Sequence, residues 1–131
     1  MIKTKGVAHF TIPVSDVVAS EKFYTEVLGM TVTHGSAERG MIFLDSGGDC
    51  IILAHTDGPI SPVRYPDVHH AFIVESDTYA DSVQELKDQG IEVFREEDRQ
   101  GGAVNGPRCY FHDPDGNVLE IIDLTSYIGD A

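Results

Sequence analysis

The chain has 131 residues, 41% of them hydrophobic and 24% charged, the proportions of a soluble globular protein with room for one compact core. Its 22 acidic against 9 basic residues give a formal charge of −13, and the cations are not clustered, which speaks against nucleic acid and anionic membrane surfaces as partners. No apolar run approaches the roughly 20 residues of a membrane span, the opening MIKTKGVAHF lacks the apolar stretch of a secretory signal, and a cytoplasmic protein is expected.

In chain order, VAHFTIPV (Val7 to Val14) alternates as a half-buried strand does. A helix opens at Ser15-Asp16, carries Val18, Phe23, Val27 and Leu28, and stops at Gly29; a hydroxyl side chain can cap its free amides and the glycine can take the left-handed stop. Three strands follow, MTVTH, MIFLDS and DCIILAH. The segment TDGPISPVRYPD has the prolines and glycine of a linker. Beyond it the order repeats: strand VHHAFIV, a helix from Ser76-Asp77 carrying Ala80, Val83 and Leu86 to Gly90, then IEVFRE, RCYFHD and NVLEIID. The pattern is βαβββ twice, an α+β fold in a single domain over residues 1–131, with module one at about 6–56, a linker at 57–67 and module two at about 68–124.

Cys50 and Cys109 have no CxxC spacing and read as buried, unreactive strand residues. Glu120 is the anomaly. It stands among Val118, Leu119, Ile121 and Ile122, where an unpaired carboxylate loses hydration without compensation, so a cationic partner is expected.

The segments HFTIPV, SDVVASEKFYTEVLG, HHAFIV and DPDGNVLEI together resemble the vicinal oxygen chelate superfamily, over about Val7 to Asp123. That superfamily includes glyoxalase I, fosfomycin-resistance and bleomycin-resistance proteins and extradiol dioxygenases. The resemblance implies two βαβββ modules whose sheets curve around one cavity, with a divalent metal held by His9, His69 and Glu120. Strand parity supports His69 over His70: His9, Thr11 and Pro13 share one face, and the same count puts His69, Ala71 and Ile73 towards the cavity and His70, Phe72 and Val74 towards the helices. Two imidazoles and one carboxylate suit Fe, Mn, Zn or Ni and leave coordination positions open.

Glyoxalase I carries a fourth ligand on the last strand of its first module, where Ile52 stands here, and His55 falls on the opposite strand face. The fosfomycin-resistance branch is closer, because Thr11 matches a threonine beside its metal and Tyr110 a pocket tyrosine. Its serine-rich cation loop, however, is replaced by EEDRQGGAVNGPR, in which Arg108 and Arg99 are the candidate substrate contacts. The glycine-rich stretch Glu97 to Pro107 reads either as a substrate lid or as a solvated hairpin connection. His112 shares parity with Tyr110 and is a candidate general acid or base, the alternative being a histidine bonding the Asp113 turn.

The expected function is a metal-dependent enzyme on a small oxygenated metabolite or xenobiotic that chelates the metal through neighbouring oxygens. The alternative is a metal-free, antibiotic-sequestering binding module, with glyoxalase I proper less favoured. The resemblance also implies a homodimer.

Overall fold

The computed structural model describes residues 1–60 and 68–128, so most of the expected linker lies outside the described residues. The chain forms two compact units, Met1–Ser61 and Pro62–Ala131. Both have the expected α+β make-up.

In the first unit, β1 (His9–Val14) leads into α1 (Val17–Lys22), and β2 (Thr31–Ser36), β3 (Met41–Ser46) and β4 (Asp49–His55) follow. The sheet order is β1-β4-β3-β2, with β1 parallel to β4 and the other pairs antiparallel. Asp16, rather than a hydroxyl residue, caps α1, its carboxylate accepting from the Ala19 amide at 3.1 Å. The helix runs on as a π turn over Phe23–Val27. Its buried stripe is Val17, Ser20 and Tyr24, and Val18, expected inside, is exposed: three- and four-residue spacing from Val17 selects the inward face and leaves its neighbour outward. That stripe belongs to a core with Ile12, Val14, Leu44 and Leu53, all fully buried and each contributing about 1.5–3 kcal/mol by removal from water.

The second unit repeats the topology. β5 (His70–Ile73) is followed by a 3-10 turn at Ser76–Thr78, α2 (Tyr79–Asp88), β6 (Arg95–Arg99), β7 (Val104–His112), β8 (Val118–Ile122) and the short β9 (Ser126–Tyr127). The order β5-β8-β7-β6 matches the first sheet strand for strand, and β9 adds to β7. Ser76 does not cap α2, because its hydroxyl donates to Asp123 at 2.8 Å. Val83 and Leu86 bury the inner side of α2 while Ala80 is exposed. Tyr79 reaches Cys109, so Cys109, Phe111, Leu119 and Ile121 form the helix-facing side of this sheet.

β6 begins four residues later than the expected IEVFRE strand. As a result Glu97–Pro107 is mostly paired strand, and only residues 100–103 connect β6 to β7. That connection is pinned: the Asn105 amide oxygen accepts from the Gly102 amide at 2.7 Å, and its nitrogen donates back to the Gly102 carbonyl at 2.9 Å. The segment is therefore a hairpin connection between β6 and β7. At Gly106, φ is +125° and a Cβ would collide with the Asp123 carbonyl oxygen, which explains the glycine inside a strand.

Candidate metal centre

The site is built on the face of the second sheet opposite α2. Register places Ala71 and Tyr110 on either side of Glu120, so these three side chains share one face, while His70 pairs with Leu119 on the helix side. His69 stands one residue ahead of β5, at the parity of Ala71. Its Nε2 lies 3.1 Å from Glu120 Oε1. Glu120 is 2% exposed, with the His69 imidazole beside its buried carboxylate. His70 is half-buried, and burial, with neighbouring His69, pushes its imidazole below the usual histidine range against an opposing pull from Asp113; it stays neutral and structural.

Tyr110 completes this corner. Its ring meets the His69 ring edge-on at 5.3 Å, and its hydroxyl donates to Glu97 Oε1 at 3.3 Å, with Glu120 directly across the strand pair. Burial and the Glu120 carboxylate push its phenol up to about 12, so it remains a donor at neutral pH. The β7–β8 turn holds it opposite Glu120. Asp113 is buried and accepts from the Asp115 and Asn117 backbone amides at 2.9 and 2.8 Å and from the Asn117 side-chain amide at 2.8 Å.

The remaining candidates fall in distinct places. Arg108 is 4% exposed, with Nε and Nη2 donating to the carbonyls of Gly106 and Val104 at 3.3 and 2.6 Å. Arg99 is half-exposed, with Nη2 3.6 Å from Glu97. His112 stacks on Phe94 at 4.6 Å, and the turn beside it is organised by Asp113 instead. His9 and Thr11 lie exposed on one face of β1, opposite Cys50 and Ile52. Since Thr11 and Phe43 flank Ile52 as Ala71 and Tyr110 flank Glu120, Ile52 is the first module's counterpart of the carboxylate, and that module offers no acid there. His55 bonds Asp57 at 2.8 Å. Among the described residues, no group of three or more His, Cys, Asp and Glu side chains is arranged to hold a metal ion; His69 and Glu120 come together as two donors.

Two residues of this face were missed by reading the sequence, Arg95 and Glu97. Arg95 lies over the Tyr110 ring, its Cζ 5.4 Å from the centroid, and its Nη2 is 3.3 Å from Glu97. The signal was the alternation Arg95, Glu97, Arg99, which becomes readable only with β6 in its true place.

The family model for the Glyoxalase/Bleomycin resistance protein/Dioxygenase superfamily matches residues 6–121. The chain belongs to this superfamily. Among other superfamily members it is 29% identical to the glutathione transferase FosA of Serratia marcescens, over 86% of this chain and 77% of that one. It is 28% identical to a metallothiol transferase FosB of Staphylococcus haemolyticus, over 89% and 82%. Its fold matches the fosfomycin resistance protein FosX of Listeria monocytogenes, solved as a mutant with Mn(II) and a dihydroxypropylphosphonic acid, at a TM-score of 0.75 and 22% identity over 92% and 91% of the two chains. No helix among the described residues is long and apolar enough to cross a membrane.

Proposed function

We propose that this superfamily member is a divalent-metal-dependent enzyme acting on a small oxygenated metabolite or xenobiotic. The observation that carries the reading is the 2%-exposed Glu120 with His69 Nε2 3.1 Å from its oxygen. A carboxylate and an imidazole nitrogen converging in a mostly apolar strand form a donor pair suited to a first-row divalent ion. The Mn(II) bound in the FosX structure and the metallothiol transferase activity of FosB agree with it. His9 is the third ligand that the family pattern supplies, and Fe, Mn, Zn and Ni all suit two imidazoles and a carboxylate. When bound, the ion supplies Lewis acidity to a substrate with two neighbouring oxygens.

The chain's own residues supply the rest. Glu120 and His69 hold the donor corner, and the neutral Tyr110 hydroxyl donates towards it, where it stabilises negative charge developing on a substrate oxygen. Thr11 lines the His9 face, Arg99 orients the substrate while the buried Arg108 is held by the carbonyls of its own strand, and His112 is the candidate proton carrier, its exposed ring held by stacking on Phe94. The working form is a homodimer in solution.

The test is turnover by the Mn(II)-loaded chain of three oxygen-chelating substrate types, a hemithioacetal, an epoxide offered with a thiol, and a catechol under dioxygen. One of them is turned over, and Tyr110→Phe lowers kcat by about tenfold to a hundredfold with the metal retained. Binding of these compounds without turnover, by a chain that takes up no metal, overturns the reading in favour of a sequestering module.

A further inference from the structure

The edge strand β6 reads REEDR, and its alternation puts opposite charges side by side on the site face. Arg95 is paired with Tyr110, Glu97 with Arg108 and Arg99 with Gly106, while Glu96 turns away and lies 3.7 Å from Lys87 of α2. Glu97 sits between two guanidiniums, with Oε2 3.3 Å from Arg95 Nη2 and Oε1 3.6 Å from Arg99 Nη2. The same Oε1 accepts from the Tyr110 hydroxyl at 3.3 Å, and Tyr110 is the cross-strand neighbour of Glu120. Arg108, the third cation of this face, has donors committed to two carbonyls of its own strand. The position at which two arginines and a phenol converge, beside the donor corner, is thus filled by a carboxylate of the chain itself.

We propose that Glu97 is a specificity-determining residue: it acts as an internal counter-anion on Arg95 and Arg99, so the site accepts neutral or singly charged oxygen chelators and disfavours doubly charged phosphonate or phosphate groups. The physical reason is that an incoming dianion must either displace Glu97 from both guanidiniums or settle beside a like charge. A neutral hydroxycarbonyl or diol meets no such obstacle and still finds the Tyr110 donor. The proposal rests on the metal-site reading for where the substrate binds, and its test is independent of the metal.

Inorganic phosphate, at a pH above its second ionisation and at low ionic strength, is titrated calorimetrically into the full chain as purified and again with a chelator present. With the chelator, Glu97→Gln binds phosphate at least about tenfold more tightly than wild type, Glu97→Ala shows the same gain, and Glu97→Gln combined with Arg99→Ala returns to the wild-type value. Equal phosphate affinity in wild type and both single variants overturns the proposal, as does a gain that survives loss of Arg99. Failure of the metal reading shows instead as absent metal in the purified chain, whichever way the chelated titrations fall.

Discussion

Tyr110 is held between two carboxylates, its hydroxyl donating to Glu97 at 3.3 Å and its strand position opposite Glu120. Burial first, then the neighbouring Glu120 carboxylate, raise the phenol from 10.0 to about 12 against the opposing influence of the Arg108 cation. The unfolded chain therefore loses this proton first: the stabilising contribution is fully present below pH 10 and disappears as pH rises through about 12. Wild-type stability falls across that interval, and Tyr110→Phe falls less steeply, as urea denaturation at stepped pH reads; Tyr79, shifted the same way, remains in both proteins as a constant background. Equal slopes in the two proteins contradict this assignment. Glu120 and His69 were legible as residues, because a lone carboxylate in VLEII is conspicuous and parity separates His69 from His70. Cys50 was misjudged: of the two cysteines only Cys109 is buried. Glu97 was not legible, because acidic and basic residues alternating along a strand look the same whether they face solvent or a site.

At the scale of elements, the βαβββ repeat was readable because each strand is bounded by glycine or an acidic turn and each helix has a stop glycine, Gly29 or Gly90, at positive φ. The misplaced β6 has a physical cause. IEVF has the apolar character of a strand, but it follows α2 directly, and the chain pairs with β7 only from Arg95 on. Charged REEDR suits an edge strand, where charge discourages pairing with other chains. The β7–β8 turn shows how an element places a functional group. Asp113 gathers three N–H donors, so Asp113→Ala leaves two backbone amides without their acceptor and loosens the register that sets Tyr110 opposite Glu120. The expected loss is about 2–3 kcal/mol in urea denaturation, with Asp113→Asn recovering part of it; a loss below about 0.5 kcal/mol contradicts this role for the turn.

For the whole molecule, the two sheets share one topology and differ in chemistry. Where the second carries Glu120 and Tyr110, the first carries Ile52 and Phe43, so the first module offers no acid at the position of Glu120. The repeat could be read from spacing and the candidate ligands from the family resemblance, whereas the arginine–glutamate face depends on strand register that no local pattern encodes. The central claim is that Glu120 is buried because it serves a metal. It is tested most directly by mass-spectrometric metal analysis of untagged protein purified without chelators, wild type beside Glu120→Gln. The account predicts about one equivalent of a first-row divalent ion per wild-type chain and its loss from a variant that remains folded. A wild-type chain that carries no metal and takes up none when Mn, Fe, Ni or Zn is added contradicts it.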